Sequence, residues 1–244
     1  DNNTAVGYAT LGANSTGANN TAVGSLALDA NTTGNFNNAF GTNSLSSNTT
    51  GQHNVAIGTS SQQFNTTGEF NTTVGTSTLN SNSTGASNVA VGHAALLLNT
   101  TASLNTAIGT SALRNNTTGA SNTAVGSGSL DVNTTASNNT AVGRDSLGAN
   151  TTGEKNTAVG TFSLDSNTTG SHNTALGYEA LTSNTQGDSN VSVGWKSLEL
   201  NTTGDSNVAV GRDALGENTT ASNNTALGHN TLNANTTGNQ NVAV

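Results

Sequence analysis

At 244 residues the chain has the length of one or two ordinary domains, but only 7% of its residues are charged and 3% aromatic, with no Pro, Cys or Met. The lack of cysteine excludes disulfides, thiolate catalysis and thiolate metal sites, and a net charge of -8 argues against a nucleic-acid binder, which needs a basic face for phosphate. No apolar run is long enough for a helical membrane span, and no signal-peptide pattern is visible.

Few aromatics with abundant Asn, Thr, Ser and Gly would ordinarily indicate disorder. A strict period argues otherwise. A 17-residue unit begins at Asn3 and restarts at Asn20, Asn37, Asn54 and every 17 residues to Asn241, so residues 3–240 hold fourteen units without insertion or deletion. A short fixed period is the signature of a solenoid. Asp1 and Asn2 fit the end of a preceding unit, and Asn241–Val244 the start of a following one. The expectation is a single uncapped array over residues 1–244, a fragment of a longer protein, because solenoids need atypical terminal units.

Within a unit the positions are numbered 1 to 17. Position 1 is always Asn, and positions 2–4 read Thr-Ala-Val or a close variant, a short strand favoured by β-branched residues at both ends. Position 5 is always Gly, which permits a positive φ or a close backbone approach at a corner. Position 8 is small, and position 9 is Leu in thirteen of the fourteen units, with Gln62 the exception. Positions 12–15 read Asn-Thr-Thr-Gly with few changes, a turn in which Asn and Gly supply the unusual backbone angles. Helix is disfavoured by two Gly per unit and by the low propensity of Asn-Thr-Thr.

Every Asp, Glu, Lys, Arg and His lies at position 6, 7, 10, 11, 16 or 17. Unpaired charges are costly to bury, so these six columns should face water. The fold class that follows is all-β: a parallel β-solenoid, or β-roll, of about fourteen 17-residue coils. It would rise about 65–70 Å at the strand spacing. Leu at position 9 and Val or Ile at position 4 should be buried, and Asn at positions 1 and 12 should stack into amide ladders. Position 3 is Ala except at Thr73 and Ser192. In a strand it faces opposite to positions 2 and 4, and its uniformity suggests a covered face that meets another subunit, the alternative being that Ala merely fits a tight corner.

The unit Asn-Thr-Ala-Val-Gly-x-x-Ser/Ala-Leu-x-x-Asn-Thr-Thr-Gly resembles the head repeats of trimeric autotransporter adhesins, whose shorter unit has an Ala-Ile-Gly-x-x-Ala core. It is more similar to the Asn-Thr-Ala-Ile-Gly-Tyr-x-Ala-Leu arrays of bacterial surface and phage fibre proteins. The resemblance covers the whole chain. It implies a parallel β-roll, left-handed as in the adhesin heads, with three chains to a fibre.

The residues offer little chemistry. His53 and His172 share position 17 seven coils apart, and His93 and His229 share position 6 eight coils apart. At about 4.8 Å per coil neither pair can share a proton or a metal. Asp188 with Asp205, and Asp213 with Glu217, have the spacing of a carboxylate dyad but no expected cleft. Arg144–Asp145, Glu154–Lys155 and Arg212–Asp213 are adjacent opposite charges on an exposed surface, where pairs contribute little. Calcium-binding nonapeptides and a phosphate loop are missing. No catalytic, cofactor-binding or metal residue is singled out, and no cofactor is expected. Thirteen of the position-12 Asn read as Asn-x-Thr sequons, Asn184 being the exception, although an Asn held in a ladder is not open to a glycan.

The expected function is therefore non-enzymatic: a structural or adhesive segment of an extracellular, cell-surface fibre or filament. Its partners would be further copies of itself, as a homotrimer or an end-to-end filament, with host or surface glycans or other cells as additional candidates. The segment is not expected to bind nucleic acid or to insert in a membrane. A phage tail-fibre shaft is the alternative, and an ice-binding or glycan-binding solenoid ranks below both. Ice faces use flat Thr arrays, whereas column 2 is broken by Asn38, Val55, Val89, Val191, Val208 and Val242.

Overall fold

The computed structural model describes residues 1–244 as two compact units, Asp1–Ser121 and Asn122–Val244. The division falls between two coils, since Asn122 occupies position 1. The first unit contains β1 (Thr4–Val6), β2 (Thr21–Val23), β3 (Asn38–Phe40), β4 (Val55–Ile57), β5 (Thr72–Val74), β6 (Val89–Val91) and β7 (Thr106–Ile108). The second contains β8 (Thr123–Val125), β9 (Thr140–Val142), β10 (Thr157–Val159), β11 (Thr174–Leu176), β12 (Val191–Val193), β13 (Val208–Val210), β14 (Thr225–Leu227) and β15 (Val242–Ala243). Within each unit, successive strands pair in parallel and in register, Thr4 on Thr21 in β1–β2 and Thr157 on Thr174 in β10–β11. The fold is all-β, a parallel β-solenoid with one strand per coil and no helix.

The core of each coil is narrow. Leu at position 9 is 0% exposed in interior coils, from Leu28 to Leu215. No charged side chain is buried. The strand, however, faces the opposite way to the sequence-based expectation. The side chain that points inward is Ala at position 3, 0% exposed from Ala22 to Ala226 in all but the two coils that carry buried Thr73 and Ser192 there. Position 4 points outward, with Phe40, Ile57, Val74, Ile108, Val159, Leu176, Val210 and Leu227 each 36–41% exposed. A 17-residue coil has room for one large aliphatic side chain, and Leu at position 9 takes it. The strand opposite can approach only with a methyl. The Ala column is thus covered by its own coil and is not a subunit contact.

Position 5 has both properties foreseen for Gly. Gly160 has a φ of 138°, and a Cβ there would collide with the Gly177 carbonyl of the next coil. The other left-handed residues are not those of Asn-Thr-Thr-Gly. They are at positions 7, 9 and 17, as in Leu26 (59°), Leu28 (50°) and Phe36 (58°). Positions 5–8 and 9–12 close as consecutive turns, Ala27 N–H donating to Gly24 O at 3.3 Å and Asn31 N–H to Leu28 O at 3.2 Å. A left-handed Leu costs roughly 1–2 kcal/mol, and complete burial of its side chain offsets this by about 1.5–3 kcal/mol.

The Asn ladders run along the core. At position 12, Asn48 Nδ2 donates to Asn31 Oδ1 at 2.9 Å and to Gly51 O at 3.0 Å, and Asn65 repeats both bonds one coil on. At position 1 the ladder differs. The Asn37 backbone N–H donates to Asn20 Oδ1 at 2.9 Å, while Asn37 Nδ2 donates to Gly51 O at 2.8 Å.

One coil breaks the Leu column. Gln62 is 0% exposed, and its Nε2 donates to Val55 O and to Thr73 Oγ1, both at 2.9 Å. Its Oε1 has no partner. Thr73 also donates to Val55 O at 3.1 Å, and its hydroxyl lies 2.6 Å from that of Ser61. Gln62→Leu removes the stranded acceptor and leaves Val55 O and Thr73 bonded. The expected gain is about 1–2 kcal/mol, measured as a higher urea midpoint at unchanged slope.

Candidate functional site

The feature that the coil does not use internally is its outer strand face. Columns 2 and 4 carry Thr or Val beside Val, Ile, Leu or Phe, in register within each unit. These side chains are half-buried or exposed. The sequence signal that could have found this face was column 2. A column containing Thr and Asn38 is unsuited to a dry core, and column 4 must share its face.

In the second unit this face is bordered by a patch of cations and aromatics at positions 6 and 7. Arg144 lies 4.4 Å from the Phe162 ring centroid, and Phe162 meets Tyr178 edge-on at 6.3 Å. The Trp195 ring, one coil beyond Tyr178, has Arg212 at 4.8 Å and Lys196 Nζ at 5.1 Å. Lys196 also bridges Glu199 at 2.8 Å and Glu179 at 3.2 Å, and these bonds hold its ammonium above the usual lysine range, Glu199 first. In the first unit, Phe36, His53 and Phe70 stack at position 17, with centroids 4.9 and 5.0 Å apart. One ring per coil fits the strand spacing of about 4.8 Å.

The structure disperses the other sequence candidates. His93 and His229 are exposed on different units, as are His53 and His172. Asp188 and Asp205 are exposed, and each accepts from the backbone of the preceding coil. Asp188 Oδ1 accepts from the Ser171 backbone N–H at 2.6 Å, and Asp205 Oδ1 from the Asp188 N–H at 2.7 Å. Arg144 and Arg212 pair with their neighbours Asp145 and Asp213 at 3.6 and 3.0 Å, and both arginines are well exposed. Asp213 is held in that pair, and Glu217 is exposed. No group of three or more His, Asp or Glu is placed to hold a metal ion. The sequon Asn of position 12 are buried, from Asn31 to Asn218.

A concavity lies in the second unit. A cavity of about 350 Å³ is lined by Gly128, Asp131, Asp145, Gly148, Phe162 and Asp165, among others. It forms where two glycines stand in columns that elsewhere mostly carry side chains. Burial, and secondarily Asp145, pushes the Asp165 carboxyl above its ordinary value of 3.8. A carboxyl that binds its proton more tightly folded than unfolded destabilises the fold once ionised. Its penalty is absent below the unfolded value and grows as pH rises through the raised folded one. Asp165→Asn is therefore expected to raise the Tm at pH 7 and leave it nearly unchanged at pH 3, as read by thermal melts at both.

No family model, curated protein or solved structure matches the chain.

Proposed function

We propose that this chain is a non-enzymatic structural and adhesive segment of an extracellular, cell-surface fibre, and that it works by self-association. The observation that supports the reading is the outward strand face, where the apolar side chains of column 4 run beside the Thr and Val of column 2. Apolar patches of a few hundred Å² occur on ordinary monomers; what supports an interaction surface here is the alignment of one outward apolar side chain per coil, so that the strip lengthens with the array. Seven coils at about 4.8 Å, with a strip about 10 Å wide, present roughly 300 Å² per unit. A standard interface needs about 800 Å² per partner, so affinity should grow with the number of coils engaged. An array of similar coils approaches that area as it lengthens, and its parallel ladders supply stiffness without disulfides. The likeness to adhesin-head repeats favours three parallel chains, with end-to-end stacking as the rival assembly.

Sedimentation velocity and light scattering over a concentration series test this. The expected result is a mass that climbs to a fixed multiple of the 24.1 kDa chain, with three as the favoured multiple. A monomer at every concentration would overturn the self-association reading. Reproducible turnover in a hydrolase screen would overturn the non-enzymatic one.

A further inference from the structure

Position 14 is a column of thirteen threonines and Gln186, and it is exposed in every coil. The neighbouring hydroxyls at position 13 tie one coil to the next. Thr32 Oγ1 donates to Thr49 O at 3.0 Å, Thr66 Oγ1 to Ser83 O at 2.9 Å and Thr168 Oγ1 to Thr185 O at 2.9 Å. The hydroxyls of Thr33, Thr50, Thr67, Thr169 and Thr203 take no part in these bonds and face solvent. The other exposed columns vary freely. Column 17 holds Asn, Phe, His, Ser, Leu, Lys and Gln, and column 6 holds Tyr, Ser, Thr, His, Arg and Trp. One residue type is thus kept at an exposed position without an internal hydrogen bond to account for it.

Two further observations indicate what the hydroxyl is for. The Asn two residues earlier, which completes an Asn-x-Thr sequon, is 0% exposed at Asn31, Asn48 and Asn65. At Asn48 and Asn65 the amide nitrogen makes two bonds inside the coil, so the amide cannot act as an acceptor while the chain is folded. The surface is also poor in hydrating groups. Typical soluble domains are about 25% charged overall, whereas this chain is 7% charged and exposes the apolar side chains of column 4. The next residue, at position 15, is Gly or Ala, which leaves the hydroxyl sterically open.

We infer that the position-14 threonines are acceptors for O-linked saccharides that hydrate the coil edge. In the transfer, Thr Oγ attacks C1 of a nucleotide-activated sugar and forms the Oγ–C1 bond. The C1–O bond to the nucleoside diphosphate breaks, the nucleotide leaves with that electron pair, and the hydroxyl proton passes to a base of the transferase. The inference requires only an exposed hydroxyl and stands apart from the assembly reading.

Electron-transfer mass spectrometry of nonspecific protease digests of the native protein, isolated from the cells that make it, tests the assignment. The expected result is hexose- or hexosamine-sized increments on Thr33, Thr50, Thr67, Thr169 and Thr203, lost on β-elimination. Gln186, in the same column, is the built-in negative control. Peptides with all of these threonines unmodified, or with sugar on the position-12 Asn instead, overturn it.

Discussion

Asn65→Asp will destabilise the array more than Asn65→Ala at neutral pH, although it preserves the shape of the side chain. Asn65 is fully buried. Its Nδ2 donates to Asn48 Oδ1 at 2.9 Å and to Gly68 O at 3.0 Å, and its Oδ1 accepts from Asn82 Nδ2 at 2.8 Å. Alanine strands Asn48 Oδ1 and one N–H of Asn82, while Gly68 O keeps the Asn54 amide at 2.9 Å. Two stranded groups and a small void together cost roughly 3–5 kcal/mol. Aspartate keeps the bond from Asn82 but loses both donors, and it turns a buried negative charge toward two acceptors, which costs still more. Protonation restores one donor. The gap between the two variants should therefore close as pH falls through the carboxylate range, measured by urea unfolding at pH 7 and pH 3.

The second large effect concerns assembly. Val142→Lys with Leu176→Lys places two charges in column 4, two coils or about 10 Å apart, far enough to limit their mutual repulsion. Both native side chains point out of the coil, Leu176 being 36% exposed, so circular dichroism and the Tm should change little. Association should weaken by about 100-fold or more, because each lysine must be desolvated against an apolar partner strip. Ala158→Lys, one position earlier on β10, is expected to do the opposite: it unfolds its coil by forcing an ammonium into a space where the native methyl is 0% exposed.

Much of this architecture is legible in the residues. The 17-residue period sets the in-register parallel pairing, the absence of charge from eleven columns marks the frame, and invariant Asn at positions 1 and 12 foretells the ladders. The direction of the strand is not legible, for a physical reason. Three residues such as Thr157-Ala158-Val159 are too short for period-2 alternation to set its own phase, and hydrophobicity alone favours Val over Ala for the interior. The width of the coil decides instead, since Leu164 already fills it. The left-handed Leu residues are also hidden from the sequence, because no local preference of Leu favours φ near 50° and only closure of the coil imposes it. The cation–aromatic patch around Trp195 depends on residues of neighbouring coils and becomes visible only once the coils are stacked.

Each coil turns its Ala inward, and in the proposed assembly its position-4 side chain meets another copy of the chain. The protein contains no cysteine, so a single introduced thiol reports its own site. Maleimide labelling of Val159→Cys and Ala158→Cys, followed across a dilution series, tests the inward Ala and the contact at position 4 together. Val159→Cys is expected to label fast in dilute solution and more slowly as concentration rises, and Ala158→Cys is expected not to label until denaturant is added. Fast labelling of Ala158→Cys in the folded chain, or labelling of Val159→Cys that ignores concentration, would contradict this arrangement.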